Sequence, residues 1–215
     1  MSFFENTKKP LGLGGELMVS MMNIGHRALS EWGLGFVKIP TDADVLDCGC
    51  GGGANLKRLA ADCPRGTVTG IDVSEVSVRR SSAKNRAALR RGQCRVLRAD
   101  VSELPFASGS YDLVTAFETV YFWRDREKCF GEVFRVLRDG GTFLICNECG
   151  GDDPRDEKWT KMIDGMTIYN DGELKTALES AGFRCVRAHK NKKGWLCVTA
   201  VKPVNEGTAH YENKK

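Results

Sequence analysis

The chain has 215 residues, 41% hydrophobic and 28% charged, with 32 Lys and Arg against 28 Asp and Glu for a formal net charge of +4. This size and balance suit one soluble domain that buries a full core without staples. Neither a membrane-spanning nor a secreted disulfide-scaffold protein is expected: MSFFENTKKP has no apolar run ending in a cleavage site, the apolar stretch at 17–22 is too short to cross a bilayer, and the nine cysteines are odd in number and irregularly spaced. The expected location is cytoplasmic, with most cysteines as buried free thiols.

In chain order, residues 11–35 place Leu17, Met21, Ile24, Ala28 and Trp32 on one helical stripe, which reads as an N-terminal cap over residues 1–40. Strands are expected at 44–49, 67–73, 94–100, 111–117 and 141–147, with helices near 53–62, 75–91 and 125–138 between them. This alternation predicts an α/β fold, a doubly wound Rossmann-like sheet of mostly parallel strands, its cofactor-binding core at 41–147. Residues 148–172 read as a polar cap insertion. A helix in GELKTALESAG and two strands, FRCVRAHK and GWLCVTAVK, follow within 173–204, and the short Asn/Lys/Gly turn between those strands forces an antiparallel hairpin. Residues 205–215 are expected to be a flexible tail.

Eight arginines and lysines crowd residues 79–98, but no aromatic residue is interleaved to stack on bases, so a solvated helix face and a charged edge strand are preferred to a nucleic-acid surface. Cys48 and Cys50 with Cys146 and Cys149 have the ligand number of a zinc site. The fourth strand lies between the first and fifth, however, holding the pairs roughly 9 to 10 Å apart. Core packing is preferred to zinc or to a thiol-bound metalloid substrate.

Gly49, Gly51 and Gly53 follow a strand and open a helix, the pattern of a backbone that admits a ligand closely. Taken alone it also fits a dinucleotide, with Asp72 on a ribose. Asp47 discriminates: a carboxylate beside the loop repels a pyrophosphate and suits an ammonium. S-adenosylmethionine has that ammonium, a ribose for Asp72, an adenine amine for Asp100 and a sulfonium cation.

VLDCGCGGG, GIDVS, RADVSELPF, YDLVTAFETVYFW and FGEVFRVLRDGGTFLI, in that order over roughly 44–146, resemble the class I S-adenosylmethionine-dependent methyltransferases, in particular the small-molecule type 11 branch of ubiquinone and menaquinone biosynthesis. The resemblance implies that Asp47, Gly49, Gly51 and Gly53 hold the methionine end and Asp72 the ribose, with Cys50 also among the cofactor-binding residues. Val73 would pack on the adenine, Asp100 and Val101 would read its edge, and Glu118 would face the sulfonium. Asp139 replaces the family's usual proline, and no motif histidine follows the fourth strand. Acceptor-side candidates are therefore His26, Tyr121 and Glu148, with Trp123 and the Met18, Met21, Met22 cluster as lining. The implied reaction is in-line methyl transfer to a small-molecule acceptor, without a metal, membrane or nucleic-acid partner; acceptor and oligomeric state stay open. An NAD-dependent oxidoreductase and an RNA-associated module are the rivals.

Overall fold

The computed structural model describes residues 27–204. His26, the Met18, Met21, Met22 cluster and the 205–215 tail lie outside these residues. The described chain runs α1 (Arg27–Leu34), β1 (Val45–Cys48), α2 (Ala54–Asp62), β2 (Val68–Asp72), α3 (Glu75–Lys84), α4 (Arg86–Arg90), β3 (Cys94–Arg98), β4 (Tyr111–Phe117), α5 (Arg126–Val136), β5 (Leu137–Asn147), α6 (Glu157–Met162), α7 (Asp171–Ser180), β6 (Arg184–Lys190) and β7 (Leu196–Val201). The strands form one seven-stranded sheet in the order β3-β2-β1-β4-β5-β7-β6. Its first five are parallel; β7 pairs antiparallel with β5 and with β6. The expected hairpin thus closes the sheet, with β7 inserted between β5 and the edge strand β6.

Each face of the sheet is covered. On one, Phe130 and Val133 of α5 and Leu174 and Leu178 of α7 pack on Phe143 and Ile145. On the other, Leu29 of α1 and Leu56 and Leu59 of α2 pack on Leu113, Leu144 and Cys146. Central strands covered on both faces read as unbroken apolar runs rather than alternating ones, and all four residues of β1 are buried.

The helix expected over 75–91 breaks at Asn85, whose side-chain amide donates to the Gly53 and Ser81 carbonyls, both at 2.9 Å. That bond ties the α3 terminus to the glycine loop. β3 is an edge strand with exposed Arg95 and Arg98. Among the described residues no helix is long and apolar enough to cross a membrane.

Candidate functional site: the cleft above strands β1 to β4

Parallel strands deliver their carboxyl ends, and the loops that follow, to one edge of the sheet, and ligands of open α/β folds bind there. A cavity of about 1010 Å³ opens at that edge. Its wall includes Gly49, Cys50 and Gly51 after β1, Asp72 and Val73 at the end of β2, Asp100 and Val101 after β3, and Glu118 after β4. Eight residues named from the sequence therefore meet in one cleft although 69 positions separate the first from the last. Asp47 and Gly53 do not line it.

The glycine loop works differently from the expectation. Gly49 and Cys50 both donate their amides to the Ile71 carbonyl at 2.9 Å, Gly51 donates to Asp72 Oδ2 at 3.0 Å, and Gly53 to the Cys50 carbonyl. These four amides are turned inward, so the loop gives a ligand close approach rather than a nest of donors. Gly49 and Gly53 have φ of +85° and +75°, and a Cβ on either would collide, with Thr119 Cγ2 at 2.2 Å and with Asn85 Nδ2 and Ser81 Oγ at 2.5 Å. Gly51 has φ of +50° and open space where a side chain would begin.

The acids divide by depth. Asp47 is 1% exposed, behind the wall; Thr115 Oγ1 donates to its Oδ1 at 2.7 Å, and Oδ2 has no hydrogen-bond partner among the described residues. Burial raises its pKa to about 7, against the lowering bond from Thr115. The direct ligand contact expected of Asp47 is therefore not what this geometry presents: the strand continues through Cys48 before the wall begins. Asp72 ends β2 with Oδ1 accepting from Ser74 and Oδ2 from Gly51, and burial raises its pKa. The Ser77 side chain also bonds this carboxylate, so three of its roughly four acceptor sites are engaged. Asp100 accepts from the Ser102 amide at 2.9 Å.

Glu118 stands at φ +61°, a left-handed conformation costly for a side-chain-bearing residue. Its Oε1 accepts from the Glu148 amide at 2.5 Å and from the Tyr121 hydroxyl at 3.2 Å. Burial foremost, and the Glu148 charge, lift its pKa to about 8. Tyr121 is buried, its hydroxyl also accepts from the Cys149 amide at 2.9 Å, and burial pushes its pKa well up. Neither Tyr121 nor Glu148 lines the cavity, so the expected convergence of both on the cleft does not occur: they brace Glu118 from behind. Trp123 does line it, and stacks on Phe143 with centroids 6.2 Å apart.

Among the described residues no cluster has the makings of a metal site. Cys48, Cys50 and Cys146 are buried, and burial raises the pKa of Cys48 and Cys50 far above the thiol range.

Sequence reasoning missed Arg27, Ser30, Lys57 and Arg58, which also line the cleft. The helical period carried the signal: Arg27 and Ser30 are i and i+3 on α1, and Ala54 and Arg58 are i and i+4 on α2.

Comparison with known proteins agrees with this architecture. The family profile described as "Methyltransferase domain", type 11, matches residues 46–145. Cycloartenol-C-24-methyltransferase of Arabidopsis thaliana is 34% identical over 152 residues, 66% of this chain and 45% of that protein. The chain spans from over a third to under half of the length of the first curated relatives it matches, 37%, 37% and 45%. Among solved structures, a chain from the complex of the Haloferax volcanii Trm112 methyltransferase activator with a methyltransferase superposes with a TM-score of 0.78 at 22% identity, covering 86% of this chain and 94% of that one. Haemonchus contortus phosphoethanolamine N-methyltransferase 2, in complex with phosphomonomethylethanolamine and S-adenosylhomocysteine, gives 0.76 at 15% identity, over 94% of this chain and 61% of that one. Fold and profile match together define a Rossmann-like class I methyltransferase domain. Residues 46–145 belong to the type 11 methyltransferase domain family, whose cofactor is S-adenosylmethionine.

Proposed function

We propose that this chain transfers the methyl group of S-adenosylmethionine to a small-molecule acceptor by direct in-line displacement. The observation that carries the reading is the row of acids at the ends of successive strands, Asp72, Asp100 and Glu118, facing one cavity across an open glycine loop. The donor set fits the cofactor. Asp72, at the end of β2, keeps an acceptor site for a ribose hydroxyl, Asp100 and the Val101 amide suit the adenine edge, and Val73, 38% exposed, offers the ring an apolar surface. Gly51 leaves room for the thioether chain. Glu118, once ionised above its pKa of about 8, supplies the negative charge suited to a sulfonium or ammonium, a role that passes to it from the more deeply buried Asp47. A pyrophosphate, by contrast, would meet three carboxylates and a loop whose amides are already engaged.

The bound cofactor supplies an activated methyl group, so the protein's work is alignment, water exclusion and charge placement. Phe117, Phe122 and Trp123 supply apolar wall beside Glu118. The cavity volume lies at the upper end of the usual range of roughly 300 to 1,000 Å³ for ligand sites, which suits a cofactor plus a small acceptor.

The test is incubation with methyl-labelled cofactor and, separately, fractionated metabolites, RNA and protein. Label should appear in a low-molecular-mass product. Label confined to RNA or protein would contradict the acceptor class, and no transfer to any fraction would contradict the reaction.

A further inference from the structure

The acids of the cleft account for the cationic and ribose parts of the cofactor but not for its carboxylate. The wall formed by α1 and α2 carries the opposite sign. Arg27, Lys57 and Arg58 line the cavity there, beside the first turn of α2, whose N-cap Gly53 provides no side-chain acceptor. Among the described residues Glu31 is the acid bonded to them: its Oε1 accepts from Arg27 Nε at 2.9 Å and from Arg58 Nη2 at 3.0 Å. Two guanidinium groups on one carboxylate, plus Lys57, leave an excess of positive charge at this end.

Arg58 is the informative member. Its side chain is 25% exposed, yet its Nη1 is buried and has no acceptor among the described residues. A buried guanidinium N–H without an acceptor costs free energy comparable to a lost charged hydrogen bond, which a carboxylate would recover with a short, charge-assisted one. Glu31 holds the arginine by its other nitrogen, so the fork is oriented before any ligand arrives.

We infer that Arg58, positioned by Glu31 and supported by Arg27, is the carboxylate-binding group of this cleft and takes the methionine carboxylate of the cofactor. This rests on the cofactor reading above. It adds a selectivity: the cleft reads a zwitterion, the acid Glu118 at the end of β4 and the bases on α1 and α2 bracketing the glycine loop. Adenosyl compounds lacking the carboxylate are discriminated against on that wall alone.

Calorimetric titration with S-adenosylhomocysteine and with its decarboxylated analogue, which keeps the amine, ribose and adenine, tests this. The wild type should bind the first about 10- to 100-fold more tightly. Arg58→Gln should lose about that factor for S-adenosylhomocysteine while changing the analogue's affinity less than about twofold, and Arg58→Lys should restore part of it. Equal losses for both ligands, or none, would overturn the assignment. Wild-type protein that binds neither adenosyl ligand would overturn the cofactor reading instead, and this assignment with it. If Arg58→Gln does not fold, Arg27→Gln, altered at an exposed side chain, should still show a roughly threefold loss confined to S-adenosylhomocysteine; a loss shared by both ligands, or no loss, would again overturn the proposal.

Discussion

Thr115 on β4 donates its hydroxyl to Asp47 on β1 at 2.7 Å, inside the sheet and out of reach of the cleft. With one oxygen unpartnered, the carboxyl is held near a pKa of 7, against an ordinary value of 3.8. The folded state therefore binds a proton that the unfolded state releases between about pH 4 and 7. Stability contributed by this group is full below the unfolded value and is lost as pH rises through that window, by about 4 kcal/mol for the whole shift. Asp47→Asn keeps an acceptor for Thr115 and removes the ionisation. The variant should be more stable than wild type above pH 7 and show a flatter pH dependence, read by urea unfolding at pH 5 to 8. An unchanged slope would contradict this.

The loop glycines separate packing from binding. Gly49→Ala places a methyl group 2.2 Å from Thr119 Cγ2 at φ +85°, and should cost at least about 2 kcal/mol of stability. Gly51→Ala meets no atom within 4 Å at φ +50°, so its cost should be about 1 kcal/mol. Its methyl group occupies ligand space instead, and S-adenosylhomocysteine affinity should fall by at least about tenfold. Thermal unfolding and titration of both variants check the contrast; equal effects on stability would refute it.

Much of this arrangement is legible in the sequence, and the part that is not has a physical cause. The strands are read correctly because central parallel strands are unbroken apolar runs. Asp72, Asp100 and Glu118 reach the cleft because each closes its strand or lies just beyond it. Asp47 is one residue too early: Cys48 still belongs to β1, and a residue inside a strand covered on both faces cannot face a crevice at its end. The break at Asn85 is hidden for another reason, since its cause is the Gly53 carbonyl, 32 positions away. Arg58 is not legible in the same way, because the apolar period of a helix marks the face that packs on the sheet and not the polar margin that lines the cleft.

Glu118 titrates where its charge matters. Burial and Glu148 raise its pKa to about 8, so the carboxylate forms as pH rises through that value. The affinity ratio of S-adenosylmethionine to S-adenosylhomocysteine, which differ in the sulfur charge, should increase between pH 7 and 9. In Glu118→Gln the ratio should be pH-independent and lower by up to about tenfold at pH 9. A wild-type ratio that does not move with pH would contradict the placement of this acid.

Tyr121 is a brace. Its hydroxyl joins Glu118 to the Cys149 amide, and Thr167 donates its amide to the Tyr121 carbonyl, coupling the β4 loop to the 148–172 insertion. Tyr121→Phe should lower stability by about 1 to 3 kcal/mol, because the Cys149 amide loses its acceptor. Methyl transfer should persist within about tenfold with an unaltered alkaline limb. Loss of a basic pKa from the rate profile would restore Tyr121 to a role in proton transfer.

The central claim is that the cleft selects an adenosyl amino acid over a dinucleotide. Thermal unfolding of the full chain with saturating S-adenosylhomocysteine or NAD measures it directly. A ligand present at about 100 times its Kd stabilises by about 2.7 kcal/mol, enough to move the midpoint by several degrees. The account predicts that shift with S-adenosylhomocysteine and none with NAD; stabilisation by NAD and none by S-adenosylhomocysteine would contradict it.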